Sequence, residues 1–405
     1  MATHLKPESG DQLAELLAWA AGEETKLEII GAGTKRGVGG PVHAETVLDV
    51  SKLTGITLYE PEELVLSARA ATLRADVEKK LAAEKQEFAF EPPDLSRLMK
   101  TNSAGTLGGM AASNLAGPRR IKAGAVRDHF LGFTAISGRG EVFKSGGRVV
   151  KNVTGYDLSK VMAGSWGTLA VMSDVIFKVL PAAETQATLI LTGLSDQAAA
   201  QVMSSAMQSS CEVSGAAHVP AELAPGSGVK PVSAAGDAVT ALRIEGISSS
   251  VSYRMNKLAE LLAGFGKGAA LGVRQSKSLW GELRDVHLLA DDGESAIWRI
   301  SVPPMEGHKV LAAIHENAGV RGYYDWAGGL IWCAVPAAGD ALAGQVRSAV
   351  DVAGGHATLI RAPEAIRNSI NVFHPLSAQL AAISAKLKQG FDPNNILNPG
   401  RMCPN

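Results

Sequence analysis

Three runs of small residues place backbone, rather than side chain, where binding could occur. The first is Gly31-Ala32-Gly33-Thr34-Lys35-Arg36-Gly37-Val38-Gly39-Gly40. The second is Gly105-Thr106-Leu107-Gly108-Gly109-Met110-Ala111-Ala112-Ser113-Asn114. The third begins at Val149-Val150-Lys151-Asn152-Val153-Thr154-Gly155-Tyr156-Asp157-Leu158 and runs into Ala163-Gly164-Ser165-Trp166-Gly167-Thr168-Leu169. Glycine stabilises neither helices nor strands. Thirteen glycines between residues 105 and 167 therefore imply tight turns, or backbone brought against something a Cβ would block. Successive N–H groups in a turn make a concave nest for an anion, and Thr34 adds a hydroxyl. Gly33 is expected to need a positive φ or a close approach. The Rossmann fingerprint does not fit, because Arg36 occupies its third glycine position and Gly37 to Pro41 cannot open a helix. No GKS or GKT follows, which excludes a P-loop. One such loop could be a plain glycine turn. Three, separated by strands, suit a long ligand with a diphosphate centre and a flat ring system.

The side chains offer less. Cys211, Cys333 and Cys403 are far apart and form no CxxC pair, so neither a disulfide framework nor a metal or iron–sulfur site is expected. The nine histidines show no HxH or HxxxH spacing. Lys79-Lys80 and Arg119-Arg120 read as a solvated face or a phosphate contact. The 405 residues carry 39 Lys+Arg against 40 Asp+Glu, which argues against nucleic acid as a partner. No apolar run would span a bilayer, and residues 1–8 lack a signal-peptide core, so a cytoplasmic location is expected.

The elements around the loops read as α+β. Ser9 should cap a helix bearing Leu13, Leu16, Leu17 and Ala20. Strands are expected at 26–30, 46–50, 56–59 and 65–70, and Thr72 should cap a helix carrying Leu73, Val77 and Leu81. Residues 130–144 read as a hairpin about Gly138-Arg139-Gly140, and 170–180 as a long strand ending at Pro181. Beyond it, strands at 186–193, 239–245, 296–302, 329–335 and 357–361 alternate with helices at 196–208, 250–264, 307–317 and 339–353. This predicts a second domain, a mixed sheet covered by helices. Residues 222–236 read as a loop, and 392–401 return to loop chemistry.

The order glycine loop, GTLGG, KNVTGYDL, GSWGTL and the tail DPNNILNPGR resembles the flavoprotein superfamily of vanillyl-alcohol oxidase and p-cresol methylhydroxylase. Within it the chain resembles the family of FAD-binding E subunits of bacterial glycolate oxidase. Asn114-Leu115-Ala116-Gly117-Pro118-Arg119-Arg120, Val126-Arg127-Asp128-His129, Leu242 to Gly246 and Ala357 to Pro363 carry that likeness. It runs from about residue 8 to the C-terminus. The resemblance implies a two-part FAD-binding domain of the p-cresol methylhydroxylase type over 1–181, a cap domain over 182–375, and a segment 376–405 returning to the first. It implies that Gly31, Gly33, Thr34 and Lys35 cradle the FAD pyrophosphate, with Gly105, Thr106, Gly108 and Gly109 on its other side. Asn114, Arg119 and Asp128 would lie along the same cleft. Gly155, Tyr156, Gly167 and Thr168 would lie beside the adenine or flavin, and Asn398 and Arg401 at the isoalloxazine end.

Two departures shape the functional expectation. Many oxidases of this superfamily carry in the first loop a His bonded to the flavin; Thr34 and Lys35 stand there, so noncovalent FAD is expected. Related 2-hydroxy-acid dehydrogenases often have GSEGTL, where this chain has Trp166, and a GHxGDGN segment, of which Gly354-Gly355-His356-Ala357 is at best a remnant. Oxidising a 2-hydroxy acid needs a hydride acceptor, a base and a cation for the carboxylate. His374 is the expected base and Arg361 the expected clamp. The resemblance implies a subunit of a complex that oxidises glycolate to glyoxylate, working with a sister FAD-linked subunit and an iron–sulfur subunit. That complex would be cytoplasmic, or peripheral to the inner membrane through a partner. A non-catalytic FAD-binding scaffold and a free-standing oxidase are the alternatives.

Overall fold

The computed structural model describes residues 3–147, 155–266, 268–291, 293–316 and 319–402. The described residues build four sheets. Strands Thr3–Leu5, Thr46–Asp49 and Leu27–Ile30 form a small parallel sheet. The helix Gly10–Gly22 covers it, capped by Ser9, whose Oγ accepts from the Gln12 amide; Leu13, Leu17 and Ala20 are buried. Strands Ile56–Glu60, Val65–Arg69, Ala170–Lys178, Phe130–Ser137 and Val142–Gly146 form, in that order, an antiparallel sheet with a phenylalanine-rich core. Leu180–Pro181 pairs with Gln86–Glu87, and Thr185 then opens an eight-stranded antiparallel sheet. Its order is Ala269–Leu271, Thr185–Thr192, Val239–Gly246, Gly215–Val219, Arg321–Asp325, Leu330–Pro336, Ser295–Ser301 and His356–Arg361.

The eight-stranded sheet is apolar on both faces. One carries Trp298, Ile300, Ile331 and Val335 under the helices Gly307–His315 and Ala343–Ala353. The other carries Ile297, Tyr323 and Trp332 and packs on the helix Val273–Arg284 and on Val38, Leu95, Leu98 and Leu115 of the first part of the chain. Strands buried on both sides lose the alternation that betrays a half-exposed strand. That is why Gly215–Val219, whose five residues are all buried, and Arg321–Asp325 were not expected. The helices Val273–Arg284 and Ala378–Phe391 also lay outside the expected set.

Thr72 does not cap the second helix. That helix spans Arg74–Ala83 with Leu73 at the cap position. The Thr72 hydroxyl instead accepts from the Gly55 amide and donates to Arg69 O at 2.7 Å, holding the strand end. Leu73 is exposed, and Arg74 joins Val77 and Leu81 on the buried face, its guanidinium donating to the carbonyls of Pro92 and Pro93. The last helix before the tail strand begins at Ala343 rather than 339, because Gly339, Ala341 and Leu342 have positive φ.

A buried ion cluster joins the eight-stranded sheet to Glu87, Glu91 and Arg119 of the first part of the chain. Arg243, in the eight-stranded sheet, makes a two-pronged bond to Glu91, with both N···O distances 2.8 Å. Arg119 makes another to Glu245, both 2.9 Å, and stands 2.8 Å from Glu87. The Arg119 amide donates to Glu91 Oε2. Arg243 also lies over the Trp280 ring. Burial works to raise the Glu91 carboxyl, but Arg243 and Arg119 overcome it and hold the pKa at about 2. A carboxylate depressed in the folded state contributes its stability fully above the unfolded value of about 4.3, and loses it as pH falls toward the folded value. Removing one partner of such a buried pair costs about 3–5 kcal/mol. Glu91→Gln is therefore expected to lose stability of that order in denaturant unfolding at neutral pH. The wild type should approach the variant as pH falls from about 4.3 to 2; a variant equal to wild type at pH 7 would remove the cluster's structural role.

Candidate functional site

A groove opens between the parallel and the five-stranded sheets. The strand Leu27–Ile30 feeds the first glycine loop onto one wall. Gly33 has φ 68, and a Cβ there would meet nothing nearer than Arg36 Cδ at 3.7 Å, so its need is conformational rather than steric. The backbone N–H groups of Ala32, Gly33, Thr34 and Lys35 have no acceptor among the described residues. Four successive amides without partners, facing a groove, are a prepared anion nest. Lys35 Nζ likewise has no partner among the described residues. Its pKa is lowered to about 8 by burial and by neighbouring Arg74, with Asp94 acting the other way.

The second segment forms the facing wall. Thr106 caps the short helix Leu107–Ser113, its Oγ1 accepting from the Gly109 amide. Gly108 donates to Ala70 O at 2.7 Å. A Cβ on Gly31 would come within 3.0 Å of Thr106 Oγ1, and one on Gly105 within 2.9 Å of Thr34 Oγ1. These glycines let the two loops approach each other. The third wall is the turn at Trp166, which has φ 52 and donates its amide to Ala112 O, together with Gly167 and Ala170 to Met172.

The tail locks these walls. Asn398 Oδ1 accepts from the Ile29 amide at 2.8 Å, and Nδ2 donates to Trp166 O at 2.9 Å. Leu397 bridges Leu27 in parallel register. Arg401 Nη1 donates to the carbonyls of Lys35 and Val38. Burial lowers its pKa to about 10 against the pull of Glu28, and its Nε is buried without a partner.

Gly31, Gly33, Thr34, Lys35, Thr106, Gly108, Gly109, Gly167, Asn398 and Arg401 thus share one groove, and Gly105 stands beside Thr34 and Lys35. Thr168 is buried just behind it, its hydroxyl donating to Ser165 O. The remaining expected residues sit elsewhere. Asn114 closes the short helix in left-handed conformation and accepts from the Arg127 amide. Asp128 accepts from the Ala125 amide, and Arg119 belongs to the ion cluster. Gly155 has φ 82 and Tyr156 is 90% exposed. Residues 151–154 of the KNVTGYDL segment, and Cys403, lie outside the described residues. His374 contacts Asp351 at 3.1 Å and Arg347 at 3.2 Å. The Arg361 guanidinium donates to the carbonyls of Leu98, Ala290 and Ser295. Neither lines the groove.

A second cluster was not anticipated. Arg120 and Arg299 lie 4.5 and 4.9 Å from the Trp326 ring centre. Trp326 Nε1 donates to Gly117 O, tying the eight-stranded sheet to the Asn114–Arg120 segment. Neither guanidinium has a carboxylate or hydrogen-bond partner among the described residues. Burial and Arg120 lower the Arg299 pKa to about 10, and burial raises that of Asp325 to about 7. Trp166, from the groove wall, packs against the core that holds Trp326 and Trp332. Buried Asp325 attracts Arg299, but with its carboxyl raised to about 7 it balances the charge only in part, and two cations brought together over an aromatic ring can take an external carboxylate. No sequence pattern marks them, because Arg120 and Arg299 are 179 positions apart.

Residues 2–146 match a family described as FAD binding domain. The chain is 33% identical over 390 residues to glycolate oxidase subunit GlcE of Escherichia coli K12, covering 96% of each chain. It is 29% identical over 202 residues to glycolate oxidase subunit GlcD of Bacillus subtilis, 49% of this chain and 41% of that one. Its fold matches p-cresol methylhydroxylase with substrate bound at a TM-score of 0.71 and 12% identity, covering 99% of this chain and 88% of that one. The groove fits the FAD these matches imply: four unpartnered amides and the Lys35 ammonium suit a pyrophosphate, and glycines clear the space beside them.

If Lys35 meets that pyrophosphate, affinity should be full below about pH 8, where the lysine is charged, and fall by up to about tenfold per pH unit above it. Reconstitution of the flavin-free chain with FAD should show this fall. In Lys35→Gln binding should be weaker below pH 8 and flat across the same window. Identical profiles for the two proteins would remove Lys35 from the site.

Proposed function

The chain belongs to the glycolate oxidase GlcE family of FAD-binding flavoproteins, and from that premise we propose that it is an FAD-carrying subunit of a 2-hydroxy-acid oxidase complex, acting on glycolate. The observation that carries this reading is the run of unpartnered amides at Ala32–Lys35 facing the groove. Residues 1–181 with the tail 376–405 hold the cofactor, and 182–375 form the cap. Attachment is noncovalent, since Thr34 and Lys35 occupy the loop. Bound FAD supplies the hydride acceptor.

The chain's own residues do the rest. Ala32 to Lys35 and the Lys35 ammonium fix the pyrophosphate, Thr106 and Gly105 close over it, and Asn398 keeps the first and third walls in register. Arg120 and Arg299 take the substrate carboxylate. They replace Arg361 in this role, because its guanidinium is committed to three backbone carbonyls. His374, engaged by Asp351 and Arg347, is left without the base role. Electrons leave through a partner, a GlcD-like flavoprotein together with an iron–sulfur subunit. Among the described residues no helix is long and apolar enough to cross a membrane, so attachment to a membrane would pass through that partner.

A second reading is supported by the groove lining, which contains no histidine or carboxylate among the described residues. In it, this chain holds FAD and the substrate chemistry lies on the sister subunit. One experiment separates the two. Acid precipitation of the purified chain should release all its flavin. Anaerobic glycolate should then bleach the flavin bands of the isolated chain, and Arg299→Leu should raise the glycolate concentration needed by about 10–100-fold with FAD content unchanged. Flavin that stays with the protein would refute noncovalent attachment. Absence of bleaching, with bleaching restored by a GlcD-like subunit, would establish the second reading.

A further inference from the structure

The helix Ala378–Phe391 has no buried residue, although it stands between the cap and the tail. Its apolar side chains nevertheless follow a strict order. Leu380, Ile383 and Leu387 recur at intervals of three and four, which places them on one stripe, and Leu376 stands just ahead of the helix. Leu380, Ile383, Leu387 and Leu376 are 55, 56, 39 and 52% exposed. On the same side at the C-terminal end, Phe391 packs on Phe143 with ring centres 5.6 Å apart. Lys388 Nζ in the last turn donates to Thr168 O and Asp392 Oδ2. The helix is thus anchored by its last turn, and its apolar stripe runs outward from that anchor into solvent. Contiguous exposed apolar surface of this kind marks an interaction site.

What covers it follows from area and charge. The exposed halves of four aliphatic side chains amount to roughly 300–400 Å² per chain. A face-to-face pair of two copies would bury on the order of 700 Å², well below the roughly 1,200 Å² of a stable interface. A helix laid into a groove is covered along its flanks as well and reaches such an area. Residues 376–391 carry no carboxylate, and with Lys388 bonded to Asp392 they leave the exposed Lys386 as the charge beside the stripe. We propose that this helix docks into an apolar, acid-rimmed groove on a different protein, the flavoprotein partner subunit. This rests on the subunit reading above. The docking helix is also joined to the flavin-side tail: Asp392 Oδ1 and Oδ2 accept from the amides of Ile396 and Leu397, two residues before Asn398 locks the groove.

The test uses the full-length flavin-loaded chain and the GlcD-like subunit of the same cell, mixed and followed by size-exclusion chromatography with light scattering and by titration. Leu380→Glu with Ile383→Glu alters only exposed positions, so circular dichroism and flavin content should match wild type. Affinity for the partner should fall at least 100-fold, and Leu380→Met with Ile383→Leu should restore it. Wild type binding with the glutamate variant equally tight would overturn the docking assignment and leave the subunit reading intact. A wild type that binds no GlcD-like subunit would overturn both. A homodimer abolished by the glutamate substitutions would overturn it in favour of a second copy.

Discussion

Two charged side chains from one half of the molecule are buried against three from the other. Glu91 and Arg119 stand in the first half beside Glu87, and Arg243 and Glu245 rise from the central strand Val239–Gly246. Burying these charges is costly, and only the paired two-pronged geometry offsets it. The orientation of the halves is therefore tightly specified, since a shift of an ångström would leave a carboxylate or guanidinium unpaired. Trp326 uses that orientation to reach Gly117 O. Arg120 and Arg299, one from each half, meet over the same ring only because the halves cannot slide.

The groove is built on the opposite principle. Its walls leave hydrogen-bonding capacity unspent: four amides in the first loop, the Lys35 ammonium and the Arg401 Nε. Each is held in place by side chains bonded to the surrounding backbone. Asn398 uses its side-chain oxygen and nitrogen to join Ile29 to Trp166, and Arg401 takes the carbonyls on the reverse of the loop. The loop amides are thereby left pointing away from the chain's own acceptors. A folded protein tolerates such groups where a ligand or solvent completes them.

Much of this was legible in the residues. The caps and turns of the first helix, the 130–146 hairpin and the three glycine segments obey local rules, and local rules survive folding. The close approaches at Gly31, Gly105 and Gly108 were legible because a Cβ at any of them would crowd a neighbouring segment. The helix start at Arg74 was misread because Thr72 has a hydroxyl suited to capping, and a tertiary contact with Gly55 claimed it instead. Strand Gly215–Val219 was invisible because a strand buried on both faces has no alternation. The charges of Arg119 and Arg361 were legible, whereas their partners, a carboxylate 126 residues away and a carbonyl 263 away, were not. The Arg120–Arg299 pair was hidden for the same reason.

We propose that the first glycine loop, facing the 105–109 segment and locked by the tail, is where this flavoprotein holds its cofactor, and a crystal structure of the chain saturated with FAD would decide it. Density for the diphosphate is expected within hydrogen-bond distance of the amides of Ala32 to Lys35, with Lys35 Nζ turned to it and Asn398 still bridging Ile29 and Trp166. Diphosphate density elsewhere, for example in the pocket lined by His43, Arg367 and Met402, with the loop amides facing only water, would contradict it.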